Sequence, residues 1–373
     1  MTAEVFESGV RDALSLRPDS AWIHRGVAIF GWGISTRIDV GTGADRFDRA
    51  MRRLSASTAP MAMASFTFDE NDLGSVVIIP RTLVKVDPDG TRFLIGDPDD
   101  LSPSASPTLL PAGRLGYSGR DEWMRLVDVA LDAIREREVE KVVLSRRLPA
   151  TFDGPVPTHL VLSNLAGNEP DSHTFLVDGF VGSSPELLVS LAAGSVRSIS
   201  LAGSADPGNP ASAGSFDTEK MTREHALAAD SVDTALTPFC TRLVRSGRTV
   251  ATYGDIQHLS TVFEGDVRPG TTVTDLLAAL HPTAAVAGTP TKTAVELIRE
   301  LEGHERGRYA GPVGWFDREG DGEFAIALRC GDIDGAKATL YSGAGIVQGS
   351  DAAMEFDETQ IKLRPMLGAL GLS

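Results

Sequence analysis

Trp123, Val127, Leu131 and Ile134 recur at helical spacing, with Asp121 and Glu122 just ahead of them. That spacing places the four apolar side chains on one face, and acids favour the positive end of a helix, so a helix is predicted here. The run Lys141-Val-Val-Leu-Ser-Arg146 predicts a strand, and residues 175–191 hold two more around the segment GSSPE. Helical spacing returns over 217–244, alternation over 256–267, and a short helix over 274–280 stops at His281-Pro282. A helix over 292–301, strands over 308–316, 323–330 and 338–346, and a last helix over 353–367 complete the pattern. In the N-terminal part the strand-like stretches are 26–32, 75–79 and 93–95, with an opening helix before them. Strands outnumber helices and follow one another through short turns such as 318–322. That pattern predicts an α+β fold with large antiparallel sheets, not alternating βαβ units. The Pro-, Ser- and Asp-rich stretch 97–113 reads as a surface loop, and no internal repeat is visible.

Of the 373 residues, 42 % are apolar and 23 % charged, enough to bury a core. No apolar run approaches the ~18 residues of a membrane span, and Met1 to Leu14 lacks the apolar stretch of a signal peptide. With 51 acidic against 35 basic residues the net charge is −16. Nucleic acid and anionic membrane are therefore not expected partners, while a small anionic substrate depends on local cations. Cys240 and Cys330 stand far apart in no metal-binding spacing, and two cysteines make no disulfide scaffold, so a cytoplasmic chain is expected. Only six of the basic residues are lysines. A GC-rich genome explains most of that bias. Even so, a lysine in apolar surroundings draws interest, because lysine can lose its proton when desolvated and arginine cannot.

Several charges sit where burial would be costly. Lys141 opens an apolar strand and shares a face with Val143 and Ser145, and Glu186 opens Leu187-Leu-Val-Ser190. Taken alone, each reads as an edge-strand charge. Glu224 continues into the apolar stripe Ala228, Val232, Ala235 and Phe239, and a carboxylate on such a line needs a partner or a metal unless it lies at an exposed helix start. Glu355, Glu358 and Lys362 share one face of the last helix, which by itself reads as a solvated surface with a Glu358–Lys362 pair. Arg329 falls in an apolar stretch and calls for a carboxylate partner from protein or ligand. Gly343, Gly345 and Gly349 follow a strand, yet the third glycine is one residue late for a dinucleotide loop and too little chain follows. Close backbone approach is the better reading of that cluster.

Together these residues resemble the chorismate-utilising enzymes. The matching segments run in family order: KVVLSR (141–146), SSPELL (183–188), LAGSA (201–205), EKMTREH (219–225), QHLST (257–261), LHPTAAVAGTP (280–290), RGRYAGPVGW (306–315), ALRC (327–330), SGAGIV (342–347) and EFDETQIKL (355–363). Residues 1–135 match only weakly, through GVAIFGWGIS (26–35) and VVIIP (76–80). The resemblance implies one α+β domain over 1–373, two large packed antiparallel sheets flanked by helices. It implies Mg²⁺ held by Glu224 and Glu358 with Glu355 in the same cluster. It implies chorismate as substrate, its carboxylates bound by Arg329, Lys362 and the amides around Gly203 and Gly343. His258 would lie beside the substrate, and Ala285 and Val286 would line its ring. Lys141 stands at the position of the base in the water-using members and Glu186 at that of the acid. The implied reaction adds water at C2 and expels the C4 hydroxyl, giving isochorismate for siderophore or menaquinone synthesis, with no obligatory protein partner. Salicylate formation, another chorismate chemistry, or a non-catalytic binding role are the alternatives. Departures are Ala310-Gly311 for the usual Gly-Gly, Asp206 for a common basic residue, and Leu328 for the usual Ile.

Overall fold

Val27–Asp39 and Val76–Val86, both dense in β-branched residues, pair antiparallel along most of their length. In the computed structural model, which describes residues 2–101, 109–117, 119–205, 216, 218–254 and 256–372, this pair is the middle of a continuous network of nineteen strands. Every strand pairing among the described residues is antiparallel. From Val76–Val86 the network runs through Met61–Ser65, Pro312–Asp317, Gly322–Ile326, Leu187–Ala192 and Ser195–Ala205 to Ile256–Val267. From Val27–Asp39 it runs through Ser20–His24, His173–Val177, Phe180–Ser184, Cys330–Asp334 and Lys337–Val347 to Lys141–Phe152. The two expected sheets are thus the two wings of one hydrogen-bonded network.

The chain passes directly between wings at two places. Pro185 and Glu186 separate Phe180–Ser184 from Leu187–Ala192, and residues 327–329 separate Gly322–Ile326 from Cys330–Asp334. Arg329 lies in the second break with φ 47°, a left-handed conformation, so the single strand expected over 323–330 is two strands with the arginine at the corner. Two other expectations are corrected. The helix expected over 217–244 is Glu219–Leu236, because Pro238 lacks the N–H that would continue it, and Cys240–Arg245 is a strand paired with Ile256–Val267. The strand expected from 308 starts at Pro312, since Ala310 turns the chain with φ 61°.

The last helix, Ala352–Ala369, begins with Asp351 accepting from the amides of Ala353 and Met354 at 3.0 and 2.9 Å, a cap that satisfies two orphan donors. It packs on Lys337–Val347 and buries Phe356, Leu363 and Met366, each such side chain contributing roughly 1.5–3 kcal/mol. Its polar face carries Glu358 and Lys362 toward the site. Residues 102–108 of the expected surface loop, and Asp206, lie outside the described residues. No helix among the described residues is long and apolar enough to cross a membrane.

Candidate active site

Lys141 is not an edge charge. It pairs with Val347 on one side and Thr289 on the other, and is only 1 % exposed. A buried ammonium requires a partner, and its Nζ lies 3.2 Å from Glu224 Oε1. Glu224 reaches it from the helix Glu219–Leu236, whose Ala228 and Val232 are buried as the stripe predicted. The approach needs Gly345: a Cβ there would stand 2.5 Å from Glu224 Oε1 and 3.0 Å from Lys141 Cε. The glycine cluster therefore serves close approach, within a strand and not in a nucleotide loop.

Glu186 sits in the first passage between wings, 4 % exposed, with Oε1 accepting from the Leu201 amide at 3.2 Å. Burial pushes its carboxyl up to about 7, against the opposing pull of that amide, Lys141 and Lys362. It is thus half protonated near neutral pH. In the second passage Arg329 Nη2 donates to His258 Nε2 at 3.1 Å, and Nη1 lies 3.7 Å from Glu169 Oε2. Burial, then Arg329 and Lys362, hold His258 well below its ordinary range, so its Nε2 is a lone-pair acceptor. Burial likewise brings Arg329 down to about 10, with Glu169 opposing, which leaves it charged at neutral pH. Glu169 is the protein carboxylate that a buried arginine calls for. Lys362 Nζ lies 2.6 Å from Glu358 Oε1 and donates to the Gly343 carbonyl at 3.1 Å.

These groups meet at one cavity with about 760 Å³ of empty space, its mouth included. Glu186, Gly203, Glu224, His258, Ala285, Val286, Arg329, Gly343, Glu358 and Lys362 all line it. Lys141 lies just behind, reached through Glu224 and Gly345. Glu355 is buried one turn before Glu358 and does not line the cavity. The oxygens of Glu224, Glu355 and Glu358 do not draw together within 4.8 Å, the spacing met elsewhere among the described residues by His24, His173 and Glu323. All three are carboxylates, the donor type a hard divalent cation selects.

Sequence reasoning singled out neither Arg306 nor Tyr309. Buried Arg306 donates to the Val143 carbonyl at 2.6 Å, to the Val286 carbonyl at 3.0 Å and to Glu302. Glu302 in turn accepts from the Ser145 amide at 2.7 Å and the Ser145 hydroxyl at 2.9 Å. This pair ties the strand bearing Lys141 to the wall formed by Val286. Tyr309 lines the cavity and stacks on Tyr341, ring centroids 5.3 Å apart. Both residues fall within the RGRYAGPVGW segment, so the signal was present but read only as a family match.

Arg329 and Lys362 thus line one cavity of an acidic protein, with Lys141 just behind it, beside a carboxyl that can donate a proton and two carboxylates of metal-binding type, Glu224 and Glu358. That set can bind a small dianion and move protons to and from it. Residues 102–371 match the family model described as chorismate binding enzyme. The chain is 38 % identical over 263 residues to isochorismate synthase MenF of Bacillus subtilis strain 168, an alignment covering 68 % of this chain and 56 % of that protein. It is 35 % identical over 356 residues to a Mycobacterium tuberculosis relative bearing the name MenF, covering 87 % of this chain and 90 % of that one. A Bacillus anthracis structure bearing the name DhbC superposes with a TM-score of 0.83 at 27 % identity, covering 97 % of this chain and 99 % of that one.

Proposed function

The chain belongs to the chorismate binding enzyme family, and we propose that within it the protein is an isochorismate synthase, an isomerase that moves a hydroxyl from C4 to C2 of chorismate. The observation that carries this reading is Glu186, a buried carboxyl that keeps its proton up to about pH 7, set at the cavity behind whose Glu224 and Gly345 the buried Lys141 lies. Addition of water needs a base and departure of hydroxide needs an acid, and the two roles fall to these two groups. Relatives named isochorismate synthase, such as the Bacillus subtilis protein, support the same conclusion.

Arg329 and Lys362 hold the two substrate carboxylates, with His258 fixing the Arg329 guanidinium. Lys141 takes a proton from water as its oxygen bonds to C2. The ring double bonds shift, the C4–O bond breaks, and Glu186 gives its proton to the departing hydroxyl so that it leaves as water. One water enters and one leaves, so the reaction is an isomerisation, and it runs in reverse with the two roles exchanged. Glu224 and Glu358, the two of these carboxylates that line the cavity, would hold Mg²⁺, and that ion would neutralise charge on a substrate carboxylate. We take 1–373 as one domain, because strands before residue 90 pair with strands after residue 170 in both wings.

The test is to incubate pure protein with chorismate and Mg²⁺ and identify the product by chromatography. Isochorismate is expected. Ala285 and Val286 offer no hydroxyl to grip the enolpyruvyl group, so isochorismate is released before pyruvate is eliminated. Salicylate accumulating as fast as chorismate disappears would establish the salicylate synthase reading instead. Tight chorismate binding without turnover would establish a binding protein.

A further inference from the structure

His24, His173 and Glu323 bring one donor atom each to within 4.8 Å of one another, and none of the three borders the substrate cavity. They come from three paired strands, Ser20–His24, His173–Val177 and Gly322–Ile326, so their backbones are held rigidly. His173 is 2 % exposed, and its Nδ1 lies 3.2 Å from the Ser184 carbonyl. A carbonyl only accepts, so Nδ1 carries the hydrogen and Nε2 bears the lone pair. That Nε2 is buried with no hydrogen-bond partner. Leaving such an acceptor unmet costs roughly 1–3 kcal/mol. The His24 ring stacks on His173 at 3.7 Å between centroids, and the His24 side chain is 24 % exposed, which opens the cluster to solvent. Glu323 lies with Oε1 3.6 Å from His24 Nδ1, and the same oxygen accepts from the Trp22 indole at 2.9 Å.

We propose that His24, His173 and Glu323 form a second metal site, selective for a borderline divalent transition ion such as Zn²⁺. Two imidazoles and one carboxylate suit that class and leave a coordination position for water, whereas Mg²⁺ prefers an all-oxygen set. The protonation states agree. Burial, with His24 adding to it, pushes His173 down to about 3, so it is a neutral ligand at pH 7. Burial raises the Glu323 carboxyl, but hydrogen bonds and charge from the histidines and the Trp22 bond outweigh it, so the group is held below its ordinary value and is ionised. The Ser184 carbonyl on His173 Nδ1 and the Trp22 indole on Glu323 are the outer contacts that orient metal ligands. Ser184 also accepts the Glu186 amide on its hydroxyl at 3.3 Å, so the ion would brace the strand end from which the proposed acid follows.

Zn²⁺ is titrated calorimetrically into chelator-stripped, untagged protein in excess Mg²⁺, added to compete for the cavity carboxylates. One Zn²⁺ per chain is expected. His24→Gln and Glu323→Gln, both with wild-type circular dichroism, should weaken it by at least about tenfold. Co²⁺ in place of Zn²⁺ should give a visible absorption band that His24→Gln loses. Absence of Zn²⁺ binding in the wild type, or binding unchanged in both folded variants, would overturn the site.

Discussion

Replacing Glu186 by Gln removes the group proposed as the acid and, with it, a buried ionisation. The wild-type carboxyl moves from 4.5 to about 7 on folding, chiefly because burial penalises its charge. That displacement is worth about 3 kcal/mol at 1.36 kcal/mol per pH decade. The sign follows from linkage: the folded value lies above the unfolded one, so this stability is complete below 4.5 and is lost as pH rises to about 7. Glutamine cannot ionise and loses nothing. The protein is least soluble near its isoelectric point of about 4.9, so the measurement belongs above it. Between about pH 5.5 and pH 8 the variant should gain about 2 kcal/mol on the wild type. Urea unfolding curves of both proteins, followed by circular dichroism across that range, read the difference directly. Over the same range wild-type turnover of chorismate should fall as pH rises through about 7, and the variant should be nearly inactive throughout. A stability difference that stays flat with pH would mean that Glu186 ionises normally in the folded protein, and the acid role would be refuted.

Lys141→Ala should lower kcat by a factor of about 10²–10⁴ in a stopped chromatographic assay, the usual worth of a positioned base. Chelation with EDTA should abolish turnover and Mg²⁺ restore it, and Glu358→Gln should raise the Mg²⁺ concentration giving half-maximal rate while the circular dichroism spectrum stays unchanged. Gly345→Ala forces a Cβ to 2.5 Å from Glu224 Oε1. Activity should fall at least about tenfold, more than the ~1 kcal/mol by which a typical point mutation destabilises a fold would suggest, and thermal melting beside initial rates separates the two effects.

The order of elements was legible because period-2 alternation and helical stripes are local. The strand at 256–267 and the final helix matched closely for that reason. A helix over 217–244 is too long: Pro238 is the local stop signal, whereas the strand character of Cys240–Arg245 comes from its pairing with Ile256–Val267 and not from its own alternation. Lys141 looked like an edge charge because its neighbours, Val347 and Thr289, lie far along the chain. Arg329 was placed inside a strand because its apolar flanks mask the left-handed turn between Ile326 and Cys330. Glu169 left no signal at all: it stands after a helix, outside every motif, and is recruited to Arg329 only by the fold. Spacing puts Glu355 and Glu358 on one helix face and Glu224 at the end of an apolar stripe, and the resemblance groups them as metal ligands, yet only the structure separates the cavity-lining pair from the buried third.

The two passages between wings at Glu186 and Arg329 bear on how activity arises as the chain folds. Each joins strands that pair with a hairpin neighbour on one side and, on the other, with a strand flanking the other passage far along the chain, so neither corner is complete until those long-range pairs have formed. Such non-local pairing is slow, since chain entropy is lost before contacts repay it. A half-synthesised chain that ends before residue 322 therefore lacks the strands that complete either corner. In a refolding experiment, backbone circular dichroism should recover first and turnover last, and the lag between them measures the time the two corners take to close.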